Sequence, residues 1–222
     1  GGVGFAFTKE CIYTFVACTG NDVLKMITFQ MDKPETYKCR TIPTNELSEP
    51  DGLCVLSHKC LQDKQEFVIA IANGGSCDIK ILRVEMDKEE KLTTKTLQTI
   101  DGFDGPDSIC YDEKRERLIV SDTWRHKVSV LSKEGKILFT IGKEGSGKGE
   151  FDEPRGVCLD PKGGIVVADT GNNRIQIFDE EGEFKQEMSS VGDKVLKTPW
   201  GVSSLIFGKR GTIVVGEFKQ EM

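Results

Sequence analysis

Apolar residues in this chain come in short runs rather than at helical spacing. Phe67–Ala72, Arg117–Val120 with its neighbours, and Ile165–Ala168 are rich in β-branched residues and bounded by Gly, Asp, Asn or Pro. That pattern predicts many short strands, and helical periodicity is nearly absent. One segment shows four such runs in succession: Val157–Leu159, Ile165–Ala168, Arg174–Phe178 and Glu183–Met188, joined by the turns "DPKGG" and "DEEG". The charged stretch "EMDKEEK" (Glu85–Lys91) reads as a solvated hairpin turn.

The four-run unit recurs. "PRGVCLDPKGGIVVADTGNNRIQIFDEEGEF" from Pro154 lies over "PDSICYDEKRERLIVSDTWRHKVSVLSKEGKI" from Pro106, with one residue inserted in a turn. Earlier copies start at Pro50 ("PDGLCVL") and, much altered, at Gly2; a fifth starts at Pro199 and stops midway. The steps are 48, 56, 48 and 45 residues. The heptapeptide GEFKQEM occurs twice, at Gly182–Met188 and at Gly216–Met222, but 34 residues apart and out of register. Gly182 follows a third strand, whereas Gly216 aligns with Ala168 inside a second one. Four short antiparallel strands repeated every ~48 residues are the signature of β-propeller blades, which must stack because one blade cannot bury both its faces. The chain is therefore predicted to be all-β, a single propeller domain over 1–222. Its blades are expected at about 2–49, 50–105, 106–153 and 154–198, with a partial blade at 199–222.

Composition adds limits. The charged fraction of 30% and apolar fraction of 37% are those of an ordinary globular chain. No run approaches the ~20 apolar residues of a membrane span. The net charge of −6 disfavours a general nucleic-acid binder, though not a local basic patch. Gly1 in place of methionine reads as a piece of a longer protein. Eight cysteines without CxxC spacing or clustered histidines, and no Asn-x-Ser/Thr sequon, point to free thiols and a cytoplasmic origin. Cys54, Cys110 and Cys158 share one register position and are expected as small core fillers.

"GSGKGEFDEPRGVCLDPKGGIVVADTGNNRIQIFDEEGEF" resembles an NHL repeat over its full length, from the G-x-G-x-G-E-F-x-x-P-x-G-V approach to the V-A-D-T-x-N-x-R-I-Q centre and the closing D-x-x-G. The copy at Pro106 resembles it well and the others less so. The resemblance implies an NHL-type propeller, usually six-bladed, of which about four and a half blades are present here. It implies a non-enzymatic binding scaffold like the C-terminal propellers of tripartite-motif (TRIM-NHL) ubiquitin ligases, choosing a protein partner or substrate for a ligase domain outside this segment. A second reading is an RNA-binding propeller. A third, a metal-dependent lactonase or lyase, needs several axial histidines or a cation set, and the chain offers only His58 and His126.

Candidate site residues follow from loop positions, where repeat proteins carry function. The loops entering the innermost strands present Asp51, Asp107, Arg155 and Trp200. The turns between second and third strands present Asn73, Trp124, Arg125, His126, Asn172 and Asn173 (with Asn21). Trp and Arg are the residue types that dominate binding hot spots. No catalytic residue, metal site or cofactor is expected. "GKEGSGKGE" (Gly142–Glu150) mimics a phosphate loop but has Gly149 where Ser/Thr must stand, and no helix follows. Asp122 and Asp169 are expected to bond their own turn backbone, and Arg174 and Lys127 to keep their charge in water.

Overall fold

The computed structural model describes residues 2–207 and 210–217. Among them, strands form four four-stranded antiparallel sheets, each a simple meander. The first sheet comprises β1 (Val3–Phe7), β2 (Cys11–Cys18), β3 (Val23–Gln30) and β4 (Lys33–Ile42). The second comprises β5 (Pro50–Cys60), β6 (Lys64–Asn73), β7 (Asp78–Asp87) and β8 (Leu92–Ile100). The third holds β9 (Pro106–Asp112), β10 (Arg117–Asp122), β11 (Lys127–Ser132) and β12 (Ile137–Ile141). The fourth holds β13 (Pro154–Leu159), β14 (Ile165–Asp169), β15 (Arg174–Phe178) and β16 (Phe184–Met188). A small hairpin, β17 (Ser190–Val191) and β18 (Lys194–Val195), precedes the pair β19 (Pro199–Phe207) and β20 (Arg210–Glu217). The fold is the all-β propeller class read from the repeat, and the four runs of the best-defined segment match β13–β16 within a few residues. The final pairing Pro199↔Glu217 mirrors Pro154↔Asp169. Gly216 thus lies in a strand while Gly182 sits in a turn at φ +90°, so the heptapeptide is out of register. Residues 218–222 of its second copy lie outside the described residues.

The chain forms two compact units, Gly1–Pro106 and Asp107–Met222. In the first, blade one lays Tyr13, Phe15, Ala17, Leu24 and Met26 against Leu53, Phe67, Ile69, Ile71, Leu82 and Val84 of blade two. Such an interface can be built because strand side chains alternate between faces. In the second unit, Ile119, Val128 and Val130 of the third sheet meet Val157, Ile165, Val167 and Phe178 of the fourth. The opposite face of the fourth sheet, with Val166, Ala168 and Ile175, packs on Val202, Ile213 and Val215. Each fully buried Ile, Leu or Val contributes about 1.5–3 kcal/mol, so these faces supply most of the stability.

An apolar plug stands three residues ahead of the proline that opens each later blade. Leu47, Phe103, Phe151 and Leu196 fill that position, and all are buried. The last of the approach letters G-E-F is therefore a core residue.

All eight cysteines are free. Cys158 is buried, whereas Cys54 and Cys110 are half-buried. Burial pushes the Cys158 thiol up to about 12. A raised folded-state value means the contribution of this thiol to stability is complete below about pH 9 and is lost as pH rises toward 12. The second unit should therefore lose up to about 1.4 kcal/mol per pH unit above pH 9 through Cys158. Denaturant melts of wild type and Cys158→Ala from neutral to alkaline pH check this: the variant should show a shallower alkaline decline.

Candidate functional site

The turns after β2, β6 and β10 are single 3-10 turns and that after β14 is a plain turn, and each of the four ends in a left-handed residue. Asp22, Cys77, His126 and Asn173 occupy that last place, at φ of 50–55°. The loop entering the next inner strand is equally constrained. Glu49, Glu153 and Thr198, each just before a proline, also have positive φ. Such strain in non-glycine residues persists only where neighbours hold it. Within each unit two hydrogen bonds do so, between the first and second sheets, the third and fourth, and the fourth and the last strand pair. Thr19, Thr123 and Thr170 donate their hydroxyls to the carbonyls of Pro50, Pro154 and Pro199, at 3.0, 2.9 and 2.7 Å. In return, the backbone N–H groups of Glu49, Glu153 and Thr198 donate to Asp22 Oδ1, His126 Nδ1 and Asn173 Oδ1, at 2.6, 3.2 and 2.8 Å. Within each unit, neighbouring blades are thus clasped at their turn ends.

A second device closes the second sheet, the fourth sheet and the last strand pair on their own entry loops. Asp169 is buried and accepts from the Asp152 N–H (2.8 Å), Asn172 Nδ2 (3.0 Å), Arg174 Nε (2.7 Å) and Gln176 Nε2 (3.0 Å). Asn73 and Glu217 do the same for the N–H groups of Ser48 and Lys197. The expectation that Asp169 bonds the backbone of its own turn is corrected here: the backbone it holds belongs to the loop before the inner strand. Arg174 departs from its expected role too. Its guanidinium is nearly buried and fully engaged, bonding Asp169, Glu187 and the carbonyls of Gly147 and Glu150. Asp169 offers a buried counter-charge, and a buried cation is held only where paired.

These networks account for most candidate site residues. In the first unit, Asn73 is fully buried and donates to Asp78 (3.0 Å), and Asp51 accepts from the Thr19 hydroxyl (2.9 Å). In the second unit, Asn172 bonds the Gly145 carbonyl and Asp169, while His126 and Asn173 hold entry loops. Arg155 pairs with Asp107 at 2.8 Å, lies 3.6 Å from Glu153, and stacks its guanidinium 3.8 Å from the centroid of Trp200. Asp107, Arg155 and Trp200 thus form a row across three adjacent inner strands. The glycine-rich stretch 142–150 folds back on its blade, with the Gly145, Gly147 and Gly149 amides donating to Phe151 O, Glu150 Oε2 and Gln176 Oε1. Those are the groups a phosphate would need.

Two side chains stand apart. Trp124 is 56% exposed and Trp200 41% exposed. Trp124 occupies the second turn position, filled by Gly20, Gly75 and Gly171 in the other three blades. A Cβ on Gly75 or Gly171 would come 2.4 Å from the side chain of Ser48 or Asp152, so there the glycine serves close packing. The third blade puts the largest side chain at that place and turns it to solvent. Arg125 follows, exposed and 3.6 Å from Asp122. The sequence reading placed both tryptophans on this rim but missed the contrast with glycine, which was legible in the turn alignment.

Gly156 positions the row. A Cβ there would lie 2.7 Å from Val202 N, 2.9 Å from Gly201 Cα and 2.9 Å from Trp200 O. Gly156→Ala should push the Trp200 strand away, costing about 1–3 kcal/mol and shifting the tryptophan emission. Paired denaturation and fluorescence measurements check both.

Among the described residues, no three His, Cys, Asp or Glu side chains gather to hold a metal ion. His58 bonds Gln65 and stacks on Phe67, and His126 is committed to Glu153. No described helix is long and apolar enough to cross a membrane.

Comparison with known proteins agrees with the repeat. The NHL repeat family model matches residues 151–178. Protein lin-41 of Caenorhabditis elegans is 54% identical over 54 residues, 24% of this chain and 5% of that protein. Tripartite motif-containing protein 2 of Bos taurus is 36% identical over 158 residues, 64% of this chain and 21% of that protein. The chain thus spans a small part of these relatives. A crystal structure of a functionally unknown protein from Desulfotomaculum acetoxidans superposes with a TM-score of 0.59 at 12% identity, covering 97% of this chain and 61% of that one, a likeness of fold alone.

Proposed function

We propose that this chain, an NHL-repeat propeller similar to those of tripartite-motif proteins, is a non-enzymatic binding scaffold that recognises a protein partner through the turn ends of its second unit. The observation that carries this reading is Trp124. The repeat uses glycine at its position, the fold does not need its bulk, and its ring is exposed beside Arg125. Exposed aromatic and arginine side chains on a rigid, clasped rim lose little entropy when a partner covers them. In a longer protein of the tripartite-motif kind, such a propeller would select the substrate for a ubiquitin-ligase domain located elsewhere in the chain.

RNA is the weaker reading. A single-strand platform needs cations free to meet phosphate. Arg155 is neutralised by Asp107 and Glu153, and Asp152 and Glu153 add negative charge along the same entry loop. Filter binding of short RNAs across a salt series should show no salt-steep affinity. Capture from a cell extract with wild type and Trp124→Ala supplies the positive arm: proteins held by wild type should be lost by the variant. Tight, salt-sensitive RNA binding that survives removal of the tryptophan would reverse the order of the two readings.

A further inference from the structure

Trp200 shows what an indole of the second unit does when a cation is at hand. Its ring carries the Arg155 guanidinium 3.8 Å from the centroid. Asp107 pairs with that guanidinium at 2.8 Å and Glu153 stands 3.6 Å away, which leaves the arginine side chain only 15% exposed. β9, β13 and β19 each supply their second residue to this group. The arrangement holds a cation because the ring face and the carboxylates attract positive charge together.

Trp124 has the same ingredients beside it, and among the described residues no cation lies over its ring. The turn that carries it is tied to the loop entering the fourth blade. The Thr123 hydroxyl donates to Pro154 O at 2.9 Å, and the Glu153 N–H donates to His126 Nδ1 at 3.2 Å. That loop bears two carboxylates. Asp152 stands 3.6 Å from His126 and Glu153 3.6 Å from Arg155, both beyond hydrogen-bond length, and they remain 48% and 42% exposed. Asp152 Oδ2 lies against Gly171, which puts no side chain over it. Arg125 and Arg155 already face carboxylates of their own, Asp122 at 3.6 Å and Asp107 at 2.8 Å. The charge left over beside Trp124 is negative.

That excess decides which partner fits. Two carboxylates repel an anionic surface. An apolar surface would take them out of water unpaired, a cost that offsets the gain from covering one ring. A lysine or arginine side chain satisfies every group at once, its stem and head on the indole and its charge on the carboxylates. We propose that the turn ends of the second unit recognise a basic segment of the protein partner, with a lysine or arginine laid on Trp124 and paired with Asp152 and Glu153, as Arg155 is laid on Trp200 and paired with Asp107. The inference rests on the reading of Trp124 as a contact residue and adds the chemistry of what meets it.

The test is selection of short random peptides displayed on phage against the 222-residue chain, followed by titration of the enriched peptides as free synthetic molecules. Enriched peptides should carry lysine or arginine, and glutamine in place of those residues should weaken binding at least ~10-fold. Trp124→Ala should weaken it by a similar factor. So should Asp152→Asn with Glu153→Gln, whose amides keep the size of the side chains and remove their charge. Affinity should also fall as salt rises from about 0.1 to about 0.5 M. Melting transitions close to wild type show that each variant is folded, and the tryptophan and carboxylate variants are independent, so either one decides. Enriched peptides that are neutral or acidic yet still need Trp124 overturn the proposal and leave the scaffold reading standing. Peptides that bind Trp124→Ala as well as wild type overturn both. Basic peptides whose binding survives Asp152→Asn with Glu153→Gln, or a selection that enriches no peptide, overturn the proposal as well.

Discussion

Asp169→Ala is expected to lower stability by about 3–5 kcal/mol, chiefly in the second unit. The substitution removes the acceptor that gathers the Asp152 N–H, Asn172, Arg174 and Gln176. It also leaves the Arg174 guanidinium, only 10% exposed, without its buried counter-charge. Glu187 at 2.8 Å and two backbone carbonyls still hold that cation, which sets the cost toward the lower end of the range. Both tryptophans lie in this unit, so fluorescence melting reports on it directly, and the midpoint should fall by roughly 6–20 °C. Asp169→Asn should lie between wild type and alanine. An asparagine performs the same backbone duty as Asn73 in blade two, where the position opposite is Asp78 rather than an arginine. If Asp169→Ala melts within a degree or two of wild type, the buried network is not a support of the fourth blade.

Phe151→Ala is the second large effect, again about 3–5 kcal/mol. The ring is fully buried in the cluster between the third and fourth sheets, 5.6 Å from Phe178 centroid to centroid. Rigid sheet faces border it, so the cavity left by truncation has little means to collapse. Phe151→Leu should recover most of the loss, within about 1.5 kcal/mol of wild type, because Leu47 and Leu196 serve the same position before other blades. Urea denaturation of the three proteins checks the ranking. Equal stability of the alanine and leucine variants would show that the position is not a packing plug.

The fold was legible because each level of the sequence agreed with the next. Period-two apolar runs, turn residues at fixed offsets and a ~48-residue spacing all specify one blade, and β13–β16 fall where the runs predict. The plug was visible as a letter of the approach motif, but its alignment with Leu47 and Leu196 rests on size and burial, which spacing alone does not reveal. The site was read less well for a physical reason. Position on a loop says that a side chain is near the rim, not whether it is free. Asn73, His126, Asn172 and Asn173 are polar residues at the rim, yet they satisfy backbone groups of the loops ahead of the inner strands, two of them in the strained residues Glu153 and Thr198. Arg174 and Asp169 pair across β14 and β15, a register that one sequence read by propensity does not fix. Trp124 differs because nothing in the repeat asks for it.

The most direct measurement is therefore on Trp124→Ala, with melting and partner capture followed on the same preparation. The clasped rim predicts a melting transition within about 2 °C of wild type, since surface substitutions usually change stability by less than 0.5 kcal/mol, together with at least ~30-fold weaker partner binding. Undiminished binding, or a melting loss of the size expected for Asp169→Ala, would contradict it.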